Sequence, residues 1–144
     1  MSIATKFALL GSGGGEAGDG WSWIFGTGGS SGQITYVTSV GVDSYDNVYF
    51  CGYTQAGEFG GYDILVGKFN SSGEKQWIKS LGDTTTDYDP VMYVHTNGDV
   101  YINYQSSANS NAPRTVKFDT DGTQIWQFYR DPTYWAGGYD IHMD

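Results

Sequence analysis

Few residues of this 144-residue chain are of types that carry out acid–base or nucleophilic chemistry. It contains two histidines, one cysteine and three glutamates. His95 stands at the end of a strand-like run, where a structural role is more common than work as a general base. Cys51 falls in the apolar run 48–51, which predicts a buried, unreactive thiol. The sequence therefore predicts no enzyme. Paired carboxylates for glycoside cleavage are the enzymatic alternative left open, because sequence does not give their separation in space.

Two groups of acidic residues are the candidates for a metal ion. Asp83, Asp87 and Asp89 lie in one predicted loop, and Asp119 and Asp121 lie in a predicted hairpin. Calcium needs six to eight oxygen ligands, and neither spacing matches that of a known calcium loop. Turn chemistry accounts for the hairpin pair. The prediction is no cofactor, with calcium at Asp83, Asp87 and Asp89 as the less favoured alternative.

Charge and hydropathy limit the partners of the chain. The formal net charge is −9, and only 7 residues are Lys or Arg, which excludes the basic surface that nucleic acids require. No segment approaches the roughly 18 apolar residues needed to span a bilayer. We expect neither nucleic-acid binding nor membrane insertion, and the partners expected are other structural proteins, further copies of this chain or surface glycans.

An internal repeat organises the chain. The run 68–77 returns at 117–126 with Lys, Phe, Gly and Trp at the same places, and the run 42–49 returns at 94–101. A period near 50 residues with short strands between turns is typical of β-propellers. The chain also has 22 Gly and is 17% aromatic, which favours an all-β fold over helices.

The repeat predicts four strands per unit, which is the content of one propeller blade. The fold class predicted is therefore an all-β propeller of four-stranded antiparallel blades, in one domain spanning 1–144. Two blades are whole, at 36–81 and 88–129, and partial blades lie at both ends. Because so few blades do not close a ring, we expect a longer or oligomeric propeller. The predicted strands are 36–43, 47–53, 63–69, 74–81, 90–95, 99–105, 114–118 and 124–129.

The tryptophans divide into repeating and non-repeating ones. Trp77 and Trp126 occupy the same place in the repeat, so both are predicted to pack between blades and to be largely buried. Aromatic residues that do not repeat are better candidates for contacts with a ligand or a partner protein. These candidate contact residues are Trp21, Tyr45, Tyr134 and Trp135.

The repeat resembles a known family. Its first copy contains Val42-Asp43-Ser44, Asn47-Val48-Tyr49, Gly52-Tyr53-Thr54, Lys68-Phe69, Gly73 and Trp77. This pattern is similar to the bacterial and phage β-propeller repeat called SBBP. The second copy matches less closely, since His95 stands in place of the Asp and Asn103-Tyr104-Gln105 in place of Gly-Tyr-Thr. The resemblance implies a propeller and a surface-exposed or extracellular location, and it implies no particular activity.

Composition and resemblance together suggest a function. Abundant Gly, Ser, Thr, Asn and Tyr with 16% charged residues is typical of an outer surface, yet the N-terminal residues do not resemble a cleaved signal peptide. A phage tail, fibre or decoration protein reconciles the two observations. We therefore expect a non-enzymatic structural or attachment module of a virion, or of an extracellular surface, that makes protein–protein contacts. The alternative is a lectin-like propeller that binds glycans through loop aromatics.

Overall fold

The computed structural model describes residues 35–55, 58–109 and 112–129 as two four-stranded antiparallel sheets. In both sheets each strand pairs with the one before it in the chain. The two whole blades predicted from the repeat are confirmed as these sheets, and the predicted partial blades lie outside the described residues. The first sheet contains β1 (Thr35–Val42), β2 (Val48–Thr54), β3 (Asp63–Phe69) and β4 (Lys75–Leu81), and the second contains β5 (Asp87–Val94), β6 (Val100–Ser106), β7 (Ala112–Phe118) and β8 (Gln124–Tyr129).

The start of β5 differs from the prediction. The strand begins at Asp87 and continues through Pro90, although Pro90 was predicted to open it. The pairing of β5 with β6 shifts between Tyr88 and Val91, and Asp89 within this irregularity has a φ of 51°. A proline cannot donate a ladder hydrogen bond and is tolerated in a strand at a bulge.

The main core lies between the two sheets. Successive side chains of a strand point to opposite faces, so alternate residues of β2 and β3 face the second sheet. Tyr49, Cys51 and Val66 from the first sheet are fully buried with Ile102 and Val116 from the second. A smaller cluster of Phe50, Leu65 and Phe69 lies on the opposite face of the first sheet.

The turn between the third and fourth strand has the same construction in both sheets. The side-chain oxygen of Asn70 accepts hydrogen bonds from the backbone N–H groups of Ser72 and Glu74. Asp119 does the same for Asp121 and Thr123. These bonds confirm turn chemistry as the role of Asp119. In the described ranges, no helix is long and apolar enough to cross a membrane.

Candidate functional site

Three aligned side chains on the first sheet form the contact with the second. Tyr49 on β2 pairs with Lys68 on β3, and Lys68 pairs with Trp77 on β4. Residues directly opposite each other on neighbouring strands share a face, so the three lie in one line across the sheet. We call Tyr49, Lys68 and Trp77 the first row.

The first row binds Thr120, in the β7–β8 turn of the second sheet. The indole N–H of Trp77 donates to the carbonyl oxygen of Thr120 at 3.0 Å. The Lys68 ammonium donates to the same carbonyl at 3.0 Å and to the Thr120 hydroxyl at 2.6 Å. The hydroxyl of Tyr49 lies 3.3 Å from that of Thr120. One threonine therefore meets all three side chains of the row.

The proton positions in this network follow from its two ends. Lys68 is a donor only, and the ionised carboxylate of Asp43 is an acceptor only. Tyr49 donates to Asp43 at 3.0 Å, so Thr120 donates to Tyr49 and accepts from Lys68. Burial raises the pKa of Tyr49, which keeps its proton in place. Burial opposes ionisation of Asp43, but hydrogen bonds from Asn47, Tyr45 and Tyr49 lower its pKa overall.

A glycine in the same turn lets the Trp77 ring approach. Gly122 has a φ of 79°, and a Cβ atom there would lie 2.7 Å from Cδ2 of Trp77. The ring also packs against Phe118 and Tyr49, each with its centroid 6.2 Å from that of Trp77. The turn thus contacts the first row through the carbonyl and hydroxyl of Thr120 and through the backbone of Gly122, which has no side chain.

Two further contacts join the sheets along their first strands. The hydroxyl of Ser44 donates to the carbonyl of Thr96 at 2.8 Å, and the backbone N–H of Ser44 donates to the same oxygen at 3.2 Å. The hydroxyl of Thr38 donates to the carbonyl of Pro90 at 2.9 Å. Polar bonds therefore surround the apolar core of this contact, as in interfaces between proteins.

The second sheet repeats the row on its outer face. Tyr101 pairs with Lys117, and Lys117 pairs with Trp126, in the same register as the first row. We call Tyr101, Lys117 and Trp126 the second row. The equivalence of Trp77 and Trp126 is confirmed. The prediction that Trp126 is largely buried is wrong, because its side chain is 42% exposed. No third sheet covers the second row among the residues that the structure describes.

The last described strand carries an apolar surface. β8 is the edge of the second sheet and pairs only with β7 within the described ranges. It exposes four large side chains, and edge strands with such side chains are prone to pair with or pack against other proteins. Trp126 and Phe128 lie on the outer face and Tyr129 lies on the opposite face; with Ile125 they are what we call the β8 surface.

Of the candidate contact residues predicted from sequence, the structure places Tyr45. It lies in the β1–β2 turn, its side chain is 73% exposed, and its backbone N–H donates to Asp43. Trp21, Tyr134 and Trp135 lie outside the described residues. The structure therefore leaves Tyr45 accessible to a partner. Sequence reasoning missed the second row as a surface, because the constant spacing of Lys117 and Trp126 marks a contact position without showing whether a neighbour covers it.

The aspartates considered for calcium have other partners. Asp83 accepts a hydrogen bond from the Arg114 guanidinium and another from the Ser106 hydroxyl. Burial opposes ionisation, but these bonds and two from Thr85 lower the pKa of Asp83 to about 2. Asp87 is fully buried, whereas Asp89 is exposed. The described residues contain no group of three or more His, Cys, Asp or Glu side chains placed to hold a metal.

Two buried carboxylates face Gly82. A Cβ atom on Gly82 would lie 2.7 Å from Oδ1 of Asp63 and 2.6 Å from Oδ2 of Asp87. Both aspartates are fully buried, and Oδ1 of each has no hydrogen-bond partner among the described residues. Burial raises the pKa of both carboxyls, against the hydrogen bonds that each accepts through its other oxygen. Gly82 is the residue that allows these two carboxylates to come together.

This cluster predicts a pH effect on stability that depends on Asp63. Because the folded state raises the pKa of Asp63 above its ordinary 3.8, the stabilising contribution of its proton is complete below that value. The contribution is lost as pH rises through the folded pKa. We expect Asp63→Asn to raise the melting temperature at neutral pH by a few degrees and to change it little near about pH 3. Thermal denaturation across this range measures the effect.

The control for this experiment is the substitution of an exposed turn carboxylate. Asp121→Asn removes the same charge from a side chain outside the cluster. It should change the melting temperature little, because the side chain is exposed. Equal changes in melting temperature for Asp63→Asn and Asp121→Asn would show that burial of the ionised Asp63 carboxylate does not destabilise the folded state.

Cys51 and His95, which lie within the described ranges, are both held within the fold. Cys51 is fully buried, and burial raises the pKa of its thiol to about 12. Nδ1 of His95 lies 2.8 Å from the side-chain oxygen of Asn97 within the β5–β6 turn. The buried thiol expected from the sequence is confirmed, and His95 has a structural partner in the turn.

A comparison with known families agrees with the geometry. Residues 20–60 match the family described as the β-propeller repeat SBBP, and this span includes β1 and β2. The match confirms the resemblance seen in the sequence. A search of the curated proteins gives no match. Residues 20–60 are therefore similar to a β-propeller repeat, and the two described sheets have the four-stranded antiparallel form of propeller blades.

Proposed function

We propose that the chain is a non-enzymatic β-propeller module that serves a structural or attachment role in a virus particle, as part of a tail, fibre or decoration. The observation that carries the proposal is the β8 surface, where four large apolar side chains are exposed on one edge strand. A surface of this kind fits a protein–protein contact better than a pocket for a small molecule, because apolar ligand sites are concave.

Composition supports the location. The chain is rich in Gly and Tyr and has only 16% charged residues, which suits a rigid β-structure at an outer surface. The two sheets are joined by tight packing and a dense polar network. Such a scaffold can hold exposed loops in fixed positions for a partner.

The loop aromatics serve as anchors in this proposal. Tyr45 projects from a turn whose shape is fixed by hydrogen bonds from the backbone N–H groups of Tyr45 and Asn47 to Asp43. An aromatic side chain on a turn with a fixed backbone has few rotatable bonds to order on binding, and aromatic residues are typical of interface hot spots. Trp21, Tyr134 and Trp135 are the other anchors proposed from the sequence.

The proposal predicts that the chain is found in purified virus particles and binds their other proteins. Mass spectrometry of particles purified from the source should find it in a fixed ratio to the major structural proteins. Labelled chain should also bind proteins from dissociated particles, and Tyr45→Ala should weaken that binding about 30-fold if Tyr45 is a hot spot. Phe59→Ala, which removes another exposed aromatic, is the matched control.

The lectin alternative predicts a different outcome. A glycan array would then give clear binding by the purified chain, and removal of loop aromatics such as Tyr45 would abolish it. That result, together with the absence of the chain from purified particles, would contradict the proposal.

A further inference from the structure

The two sheets contribute different parts to their contact: the first sheet contributes a row of side chains and the second contributes a turn. Each part has a structural equivalent on the other sheet. In the chain itself, the first row on the first sheet binds the Asp119–Gly122 turn of the second. The counterpart of the row is the second row, on the outer face of the second sheet. The counterpart of the turn is the Asn70–Gly73 turn of the first sheet.

The second row is presented for the same kind of contact. The ring centroids of Tyr101 and Trp126 are 6.1 Å apart, and the Lys117 ammonium lies 5.3 Å from the centre of the Tyr101 ring. Lys117 also pairs with Asp99 at 2.8 Å. An ammonium group has three N–H donors, so this ion pair leaves donors for a carbonyl or a hydroxyl.

The Asn70–Gly73 turn has the features that the first row recognises in the other turn. The backbone N–H of Gly73 donates to the carbonyl of Asn70 at 2.9 Å, as that of Gly122 donates to Asp119 at 3.1 Å. Gly73 has a φ of 90° and supplies the same bare backbone. Ser71 stands at the position of Thr120 and offers both a carbonyl and a hydroxyl, and its side chain is exposed.

We propose that the second row of one molecule binds the Asn70–Gly73 turn of a second copy of this chain, with Ser71 in the role of Thr120. The inference rests on the proposed structural function and names a partner for the β8 surface. The row lies on the outer face of the second sheet and the turn belongs to the first sheet. The contact is therefore head to tail, and its repetition builds a ring or a filament of copies.

The polarity of the outer face favours a separate molecule as the occupant. Where the first sheet has the buried pair Cys51 and Val66 beside its row, the second sheet has Asn103 and Thr115 in the equivalent register. The amide of Asn103 donates to the Thr115 hydroxyl at 3.0 Å. Reversible interfaces between proteins contain more polar groups than the core within a chain. The contact should therefore depend on protein concentration.

Paired variants test the proposal by sedimentation velocity on the full chain over a range of concentrations. The native chain should associate. Trp126→Ala should weaken association at least about 30-fold, as loss of a hot-spot aromatic does. Ser71→Arg should do the same, because it places a bulky cation against Lys117. Phe59→Ala, which removes an exposed aromatic outside both the β8 surface and the Asn70–Gly73 turn, should associate like the native chain.

The decisive sample is a mixture of the two damaged variants. The Trp126→Ala molecule keeps an intact turn, and the Ser71→Arg molecule keeps an intact row, so the mixture should form a one-to-one dimer that neither variant forms alone. A native chain that stays monomeric, undiminished association of Trp126→Ala, or a mixture that stays monomeric would each overturn the inference. Binding of Ser71→Arg to particle proteins, measured separately, reports on the proposed function regardless of these results, because this variant keeps both the β8 surface and Tyr45 intact.

Discussion

Trp77→Ala is expected to lower the free energy of unfolding by about 3 kcal/mol, the lower end of the range for tryptophan truncation in a core. The ring fills the space between Tyr49, Phe118 and Gly122, and its N–H group satisfies the carbonyl of Thr120. Truncation leaves a cavity at the contact between the sheets and removes one of the bonds that hold the turn. Urea denaturation of dilute protein measures the loss.

Trp126→Ala is the matched comparison, because it makes the same chemical change at the equivalent position of the second sheet. Trp126 is 42% exposed, and the centroid of its ring lies 6.1 Å from that of Tyr101. Loss of one exposed aromatic pair should cost about 1 kcal/mol or less. Equal destabilisation by the two substitutions would contradict the assignment of Trp77 as the partly buried member and Trp126 as the exposed one.

The sequence predicts the fold because the repeat records positions within a blade. Lys68 and Lys117 mark the third strands, and Gly73 and Gly122 mark the turns that follow them. These residues are needed wherever the unit occurs, since the left-handed backbone of the turn favours glycine. The strand order and both whole blades followed from this pattern.

The exposure of Trp126 was not predictable from the same pattern. Burial of an outer row depends on the neighbour that covers it. The repeat places the same residue at this position whether or not a neighbouring unit packs against it. Trp77 has the Asp119–Gly122 turn against it, whereas the described residues place no such turn against Trp126. A repeating residue therefore identifies a contact position without identifying its occupant.

The aspartate cluster escaped prediction because its members do not repeat. Asp63 begins β3, Asp87 begins β5, and Asp83 lies in the loop between the sheets. Their meeting at Gly82 depends on the way the two sheets stack. The sequence showed the acidic loop, but it did not show that the guanidinium of Arg114 on β7 forms an ion pair with Asp83.

The bond between Asp83 and Arg114 joins the loop between the sheets to the second sheet, and its loss is expected to be costly. The Arg114 side chain is 7% exposed, and its guanidinium donates to Asp83 at 2.5 Å. Asp83→Ala would leave this cation buried without its carboxylate partner. Breaking a buried pair in this way typically costs about 3–5 kcal/mol, and because the Asp83 side chain is 27% exposed we expect a loss of about 3 kcal/mol or less. Chemical denaturation at neutral pH measures the cost.

A double variant separates the cost of an unpaired charge from loss of the loop contacts. In Asp83→Ala with Arg114→Met, no cation is left without a partner, so the double variant should be more stable than Asp83→Ala alone. If the double variant is as unstable as the sum of the two single variants, the two residues do not act as a pair.

Asp83 also predicts a loss of stability in acid, because hydrogen bonds from Thr85, Ser106 and Arg114 outweigh burial and lower its pKa on folding. Because the pKa of Asp83 falls from 3.8 to about 2 on folding, its contribution is fully present above the ordinary value and is lost as pH falls through about 2. The sign is opposite to that of Asp63, whose stabilising proton is lost as pH rises. Stability should therefore fall on the acid side in the native chain and in Asp63→Asn, but this fall should be smaller in the Asp83→Ala, Arg114→Met double variant. An unchanged acid limit in the double variant would assign the loss to other carboxylates.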